Sequence, residues 1–529
     1  MLQDSVGAPF GQVAAVVEVA TRFRLLLDSN VLFAAEPFAG RLEPGFSPVA
    51  ELLRIASEQG QAVLIHPASL DDAREDKDLD RRRQRLAELG KYACLRETPI
   101  LPKLAELFGS LRPGSNDARD LRILSALPAR AATHLVTDDN RLRRRAARAG
   151  FGAAVSTVGD TLALLRDLVR PAAEPPPRVR ELLAYEVDGG QSIFASLRLD
   201  YPEGNGQVGF DTWLDKVRAD PANRKIFAVI IDGAYQAVAI LKLEEDDRRY
   251  GFPAGTTKIA TLKVHDDHGG SKLGELLLKA LLSDAHERGA AGLFVEVHPR
   301  HKQLIGFLAD FGFTDTKQRV SGGQYVLYKS LQPPVNDTSS RGRDDPLTFH
   351  IAYGPPAIRV AQAHIVPVQP VWFDQLFPDS SLATPPDLTE PLFGERVTRP
   401  CGNALRKVYV SWTVHRRLRS GDLLLFYRSH DTQAVAALGV LEQVLVSADP
   451  LQIITFLGQR SVYTPEQITE FCRRGGAVSA LLFRQDRLID PPWPRELLNA
   501  AGVVKRWPQT VTTVAEEGVE WLRAQVESP

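Results

Sequence analysis

Two short apolar runs that end in acids set the pattern of the first third of the chain. Leucines at 25–27 lead into Asp28, and residues 134–136 lead through Thr137 to Asp138 and Asp139. Uninterrupted apolar runs of this kind mark strands buried on both faces, the habit of parallel sheets. Asp72 and Asp120 sit beside segments that read as helices. From residue 225 the pattern changes. Residues 225–245 hold two apolar runs around a glycine-containing turn, which predicts a β-hairpin. Residues 257–265 predict a further strand. A polar loop and a helix over 273–289 follow, with apolar positions at helical spacing. Another strand over 291–299, a helix over 301–313 broken by Gly312, and a closing strand over 322–331 complete this stretch. After residue 347 the pattern turns mostly β, with strands expected at 406–412, 421–429 and 434–447. One clear helix signal interrupts them: Thr464 as cap, Pro465 at the first helical position and Gln467 at the third.

Two turn-rich segments divide these patterns. Residues 171–178 are proline-rich and cannot continue a helix, and residues 333–346 are polar and rich in turn formers. The expected units are therefore 1–170, 179–332 and 347–529, a division that suits 529 residues. The expected class is multidomain α/β. A formal net charge of −1 with 24% charged residues excludes a uniformly basic nucleic-acid coat protein, so any RNA contact has to use local patches. Residues 80–91 and 141–150 are two such basic, helix-patterned stretches, and the second borders Asp139. Three cysteines, Cys94, Cys401 and Cys472, show no paired spacing, and the eleven histidines show no metal-ligand spacing. No apolar run is long enough to span a bilayer, and no secretion signal opens the chain. A cytoplasmic location without membrane contact is expected.

The acids carry the first candidate chemistry. Carboxylates at the ends of parallel strands converge at the carboxyl edge of the sheet, where open α/β folds build their sites. Clustered carboxylates repel unless a hard cation joins them. The segments "LLLDSNVL", "DLRILSAL" and "LVTDDNRLRRRA" resemble the PIN-domain nucleases over about residues 22–168. The resemblance implies a PIN-like parallel α/β sandwich and Mg²⁺- or Mn²⁺-dependent cleavage of RNA. Carried over, Asp28, Asp120 and Asp139 are metal ligands and catalytic residues. Asp72 joins them, with Asp71 or Glu75 as alternatives in the same helix. Asn30 orients a carboxylate or a metal-bound water, and Asp117 and Asp138 are further acids beside the set. The plain alternative is that these acids cap helices or lie on solvated helix faces.

The second candidate is a strand, a glycine-bearing loop and a helix N-terminus, a device that binds phosphate through backbone N–H groups and the helix dipole. "VHDDHGGSKLGELLL" and "LIGFLADFGF" resemble the GNAT acyltransferases, which bind acetyl-CoA at this turn. The likeness covers about residues 179–330 and implies a mixed α/β fold. It implies that Gly270, Ser271, Lys272, Leu273 and Gly274 form the pyrophosphate turn, with the backbones of Leu262 and Val264 pairing with the pantetheine arm. The chain departs from the family where Gly269 replaces Arg/Gln, where Lys272 replaces the central glycine, and where Leu308 stands at the position of the thiolate-protonating tyrosine. Tyr325 or Tyr328 as acid, and Glu244 or Glu296 as base, are the remaining candidates.

"GDLLLFYRS" followed by "ALGVLEQV" resembles the PUA-like barrels, including the ASCH group, and implies a C-terminal β-barrel that binds RNA. The ASCH Gly-x-Lys-x-x-Glu-x-Arg signature is absent. Tyr427 and Arg428 are candidates for stacking and phosphate contact, and Trp372 and Phe373 weaker ones. Taken together, the resemblances imply a ribonuclease fused to an N-acyltransferase and an RNA-docking unit in a stress or toxin–antitoxin-like setting. RNA, with transfer RNA as a candidate, an antitoxin-like protein and a second copy of the chain are the expected partners. Two other readings remain: an acyltransferase whose flanking units only bind, and a non-enzymatic acetyl-CoA-binding adaptor.

Overall fold

A computed structural model describes residues 23–34, 46–167, 178–201, 209–243, 248–268, 271–320, 322–333, 345–382, 404–505 and 508–527. Three sheets organise them. The first holds β1 (Arg24–Leu27), β2 (Ala62–Ile65), β3 (Ala93–Cys94), β4 (His134–Val136) and β5 (Val155–Ser156), in the order β3-β2-β1-β4-β5 and parallel throughout. Leu25, Leu26 and Leu27 are fully buried because helices cover both faces. The chain runs from β1 to one side and later returns to its other side. The carboxyl ends of β1 and β4 therefore meet at the switch point of the sheet.

The second sheet is mixed. It contains β6 (Val179–Leu182), β7 (Arg224–Ile231), β8 (Ala234–Lys242), β9 (Thr256–Val264), β10 (Gly292–Val297), β11 (Thr314–Arg319) and β12 (Tyr325–Ser330), ordered β11-β12-β10-β9-β8-β7-β6. The β7–β8 hairpin turns through Asp232 and Gly233, both at positive φ, as a two-residue hairpin loop requires. All neighbours are antiparallel except β9 and β10. The helix Leu273–Glu287 makes that parallel crossover, burying seven apolar residues from Leu273 to Ala285.

The third sheet corrects an expectation. β13 (Ala363–Val368), β14 (Arg406–Ser411), β15 (Leu423–Arg428), β16 (Ala434–Ser447), β17 (Val478–Pro494) and β18 (Thr512–Thr513) lie in the order β14-β17-β16-β15-β13-β18. Among the described residues the ends β14 and β18 do not pair, so the strands form an open sheet and not the expected closed barrel. The edge strand β14 is met instead by a single bridge from Val408 to Ser461. The exposed edge strand β18 is only two residues long. The helix Pro465–Gly475 has the capping box expected of Thr464 and Gln467.

The units are packed on one another. One apolar cluster includes both Leu164 and Leu165 of the first unit and Ile453, Ile454 and Leu457 of the third. Polar links join the second unit to both neighbours: Gln303 Nε2 donates to Asp138 Oδ2 (3.3 Å), Arg460 pairs with Glu275 (2.8 Å), and Lys279 pairs with Asp379 (2.6 Å). Lys329 Nζ donates to the carbonyls of Ile351 and Ala352 at the end of the helix Pro346–Tyr353. The two expected linkers fall almost wholly outside the described residues. Among the described residues, no helix is long and apolar enough to cross a membrane.

Candidate active site

The acids of the first unit gather where the sheet predicts. Asp28 leaves β1 buried, accepting from Ser29 N (2.8 Å) and from the Thr137 hydroxyl at the end of β4 (2.7 Å). Burial pushes its carboxyl up to about 6 against those hydrogen bonds, and the charges of Asp139 and Asp72 push the same way. Asp120, on the helix Asn116–Leu124, is pushed up to about 7 by burial and then by Asp28 and Asp139. Asp139 caps the helix Asn140–Arg148, accepting from Arg141 N (2.6 Å) and Leu142 N (3.1 Å). Asn30 Nδ2 reaches the Thr137 hydroxyl at 3.5 Å, so it touches the group that holds Asp28.

The other acids have cationic partners. Asp72 faces Arg119 at 3.4 Å, and Glu75 pairs with the same guanidinium. Asp71 pairs with Arg122 and Arg74. Arg145 and Arg141 hold Asp117 below the usual carboxylate range. Arg145 also approaches Asp120 at 3.5 Å and lies over the Phe108 ring, so this part of the basic 141–150 segment neutralises the acids. Asp138 turns away, accepting from Val158 N and Gln303. Among the described residues no group of three or more His, Cys, Asp or Glu side chains is arranged to hold a metal ion. The expected Mg²⁺ or Mn²⁺ set of Asp28, Asp72, Asp117, Asp120 and Asp139 is therefore not assembled. Backbone amides and the Thr137 hydroxyl bond Asp28 and one oxygen of Asp139, and arginines hold both oxygens of Asp117 and one each of Asp72 and Asp120.

The second site is built by the backbone. Parallel pairing of β9 with β10 runs from Thr256–Gly292 to Ile259–Val295 and stops. There β9 bulges at Ala260, its register against β8 shifting between Ile259 and Thr261. Beyond the bulge β9 stays paired with β8 as far as Val264, while β10 continues with β12 as far as Val297. The two parallel strands thus separate, and residues 260–264, half-exposed, have a free edge facing the gap. Leu262 and Val264 lie on that edge. The helix Leu273–Glu287 begins nine residues after Val264 and starts at the mouth of the gap, where Gly274 lies against Val264.

At the start of that helix Ser271 donates to the His268 carbonyl. Lys272 is the N-cap, in the left-handed conformation (φ 64°), which suits the glycine that the family has there. The first N–H of the helix with an intrahelical acceptor is that of Leu276; among the described residues none faces the N–H groups of Leu273 and Gly274. A side chain at Gly274 would touch Phe307 and Val264. Gly270, like Glu244, lies outside the described residues.

Leu308 is fully buried and offers no acid. Tyr328 stacks on Phe252 (4.6 Å) near the closed end of the gap, whereas Tyr325 pairs with Val297 at the open end. Glu296 accepts from the Tyr250 hydroxyl (2.6 Å) and pairs with Lys258 (3.0 Å), so it is already neutralised.

The third unit overturns the contact expected of Tyr427 and Arg428. Tyr427 is fully buried in the core between β13 and the helix Glu516–Val526. Arg428 is pinned by Asp374 and Asp431, over the Phe373 ring. Neither can stack on a base, because continuous strand burial on both faces took them inward. Phe373 is core as well, and Trp372 packs on Tyr463 (4.6 Å). The residue that local patterns did not flag is Asp160, whose carboxylate receives the buried Lys272 ammonium. Its only sequence signal was a helix-capping pattern with Thr157.

The acetyltransferase (GNAT) family model matches residues 190–313. Among solved structures, the chain is similar to a putative acetyltransferase from Salmonella typhimurium with its cofactor acetyl-CoA (19% identity, 31% of this chain, 98% of that one, TM-score 0.25). It is also similar to a putative acyl-CoA N-acyltransferase from Klebsiella pneumoniae (16% identity, 30% and 98%, TM-score 0.22). An ASCH protein from Zymomonas mobilis is a third (13% identity, 31% and 94%, TM-score 0.23). No curated protein matches the chain.

Proposed function

We propose that the second unit binds acetyl-CoA and transfers its acetyl group to an amine. The observation that carries this is the gap between β9 and β10. A bulge at Ala260 ends the parallel pairing and leaves a strand edge that can pair with an amide-bearing ligand. Its mouth meets the N-terminus of a 15-residue helix, whose first N–H groups and dipole favour a diphosphate. The pantetheine arm has two amides and the nucleotide end a diphosphate, so the two features suit one ligand. Acetyl-CoA supplies an activated thioester. In transfer the carbonyl carbon gains a bond to the acceptor nitrogen, the carbon–sulfur bond breaks, the nitrogen gives up a proton to solvent, and the thiolate takes one up. The chain's part is to align the arm along residues 260–264 and to hold the diphosphate at Leu273 and Gly274. Tyr325, at the open end, is the better placed of the two tyrosine candidates to supply the proton.

The test is calorimetric titration of the full chain with CoA, followed by labelled acetyl transfer to a panel of amines. Micromolar binding that falls at least tenfold in Gly274→Asp, which puts a negative charge beside Val264 at the mouth of the gap, is the expected result. Failure of the wild type to bind CoA refutes the reading. Binding without transfer to any amine would instead favour a coenzyme-binding adaptor.

A second reading concerns the first unit. The high carboxyl pKa values of Asp28 and Asp120, side by side at a parallel-sheet switch point, favour an acidic site for phosphodiester cleavage. RNA incubated with Mn²⁺, with chelator, and with the Asp28→Asn variant tests it. Cleavage that is equal in all three, or absent throughout, removes this reading.

A further inference from the structure

The ammonium of Lys272 is nine-tenths buried, and its counter-charge comes from another unit. Asp160, on the helix Val158–Asp167 of the first unit and 112 residues away in sequence, receives it. The other Asp160 oxygen accepts from the Thr157 hydroxyl (2.9 Å), which fixes the carboxylate. The nearest acid of the second unit's own helix, Glu275, is already engaged: its oxygens accept from Arg460 (2.8 Å) and from Arg406 N (3.2 Å) of the third unit. Among the described residues, Asp160 is the acid that pairs with the Lys272 ammonium. The same two units meet at a second place. The Asn140 amide packs against Gly306 so closely that a methyl there would overlap it, and Gln303 donates to Asp138.

Lys272 also carries the left-handed backbone conformation, which a side chain disfavours. Something has to hold it, and the Asp160 pair is the directional contact that does. Burial and Arg460 both act against the Lys272 charge, and Asp160 opposes them.

We propose that Asp160 is a positioning residue for the coenzyme turn. By gripping the Lys272 side chain from a neighbouring unit, it holds the backbone so that the N–H groups of Leu273 and Gly274 face the diphosphate. Coenzyme affinity in the second unit thereby depends on the docked first unit. This rests on the acetyl-CoA reading above.

Four full-length proteins test it by calorimetric titration with CoA: wild type, Asp160→Asn, Lys272→Gly, and the double variant. The expected result is about a tenfold or greater loss of affinity in Asp160→Asn, which leaves the buried ammonium unpaired. The double variant should recover to within about threefold of wild type, because glycine takes positive φ unaided. Lys272→Gly alone should bind as the double variant does. If Asp160→Asn binds like the wild type, or if the double variant stays as weak as Asp160→Asn, the inference is overturned. A thermal melt of the coenzyme-free proteins separates misfolding from positioning: Asp160→Asn should stay folded at the titration temperature, and loss of its folding transition there would overturn the inference, because affinity would then be lost with the fold. A wild type that binds no CoA ends both this inference and the acetyl-CoA reading. A wild type that binds, with an unaffected Asp160→Asn, ends this inference alone.

Discussion

Replacing Asp120 with asparagine should stabilise the first unit, and should do so far more at pH 8 than at pH 5. The folded chain pushes this carboxyl from 3.8 up to about 7. At 1.36 kcal/mol per pKa unit, holding the charged form costs ~4 kcal/mol. The sign follows from proton linkage. Below pH 3.8 folded and unfolded chains both carry the proton, so nothing is lost. Between about 4 and 7 the unfolded chain releases it while the folded chain keeps it, and stability falls as pH rises. Above 7 the loss is complete. Asparagine never charges, so its gain is ~1.6 kcal/mol at pH 5 and approaches ~4 kcal/mol at pH 8. The long contact to Arg145 (3.5 Å) acts on the charged form and is already counted in that net shift. Part of that cost comes from the charges of Asp28 and Asp139 beside it. We expect a gain at least ~1.5 kcal/mol larger at pH 8, or several degrees in Tm at ~2–4 °C per kcal/mol. Differential scanning calorimetry is the assay, because all six tryptophans lie at position 213 or beyond and fluorescence would not report on this unit. A chelator must be present, since a bound cation would supply the missing counter-charge. An equal gain at both pH values, or a larger one at pH 5, would refute the reasoning.

Three further outcomes follow from the same structure. Gly312→Ala should destabilise by ~2 kcal/mol or more, because Gly312 has φ +87° and a methyl would overlap the Ile351 carbonyl oxygen; a thermal melt matching wild type contradicts this. Tyr427→Phe should be neutral or stabilising by up to ~1 kcal/mol, since the buried hydroxyl has no hydrogen-bond partner among the described residues; a loss in denaturant midpoint would reveal a hidden partner. His66 and His134, both buried and pushed down to about 4 by desolvation, contribute stability that is complete above 6.5 and lost as pH falls toward 4. His134→Gln should therefore flatten the acid limb of Tm against pH, by up to ~3 kcal/mol in total, and an unchanged slope would show that His134 is charged in the fold.

Much of the local structure was legible in the chain. The leucines before Asp28 marked a strand buried on both faces, the glycine between two apolar runs marked a β-hairpin turn, and Thr464-Pro465 with Gln467 wrote a helix start. These signals act over a few residues, through backbone sterics, pleat and cap, so sequence suffices to place them. That Asp28 and Asp139 come together was legible too, because strand ends in a parallel sheet meet at one edge, whereas Asp120 joins them from a helix. What those acids do with their charge was not. Arg145 reaches Asp120, and Arg119 reaches Asp72, only once helices have packed, and the same packing leaves no assembled metal group among the described residues. "LLLFYR" read locally as a strand with a usable Tyr–Arg end, yet the sheet that covers both its faces made Tyr427 core and Arg428 a buried ion pair. The gap between β9 and β10 depends on a bulge that no residue at 260 announces. Lys272 shows the division most plainly. Sequence placed a lysine where a glycine is usual, but only the tertiary structure brought Asp160 to it, because a buried charge is neutralised by whatever chain lies within a few ångströms, however distant in sequence.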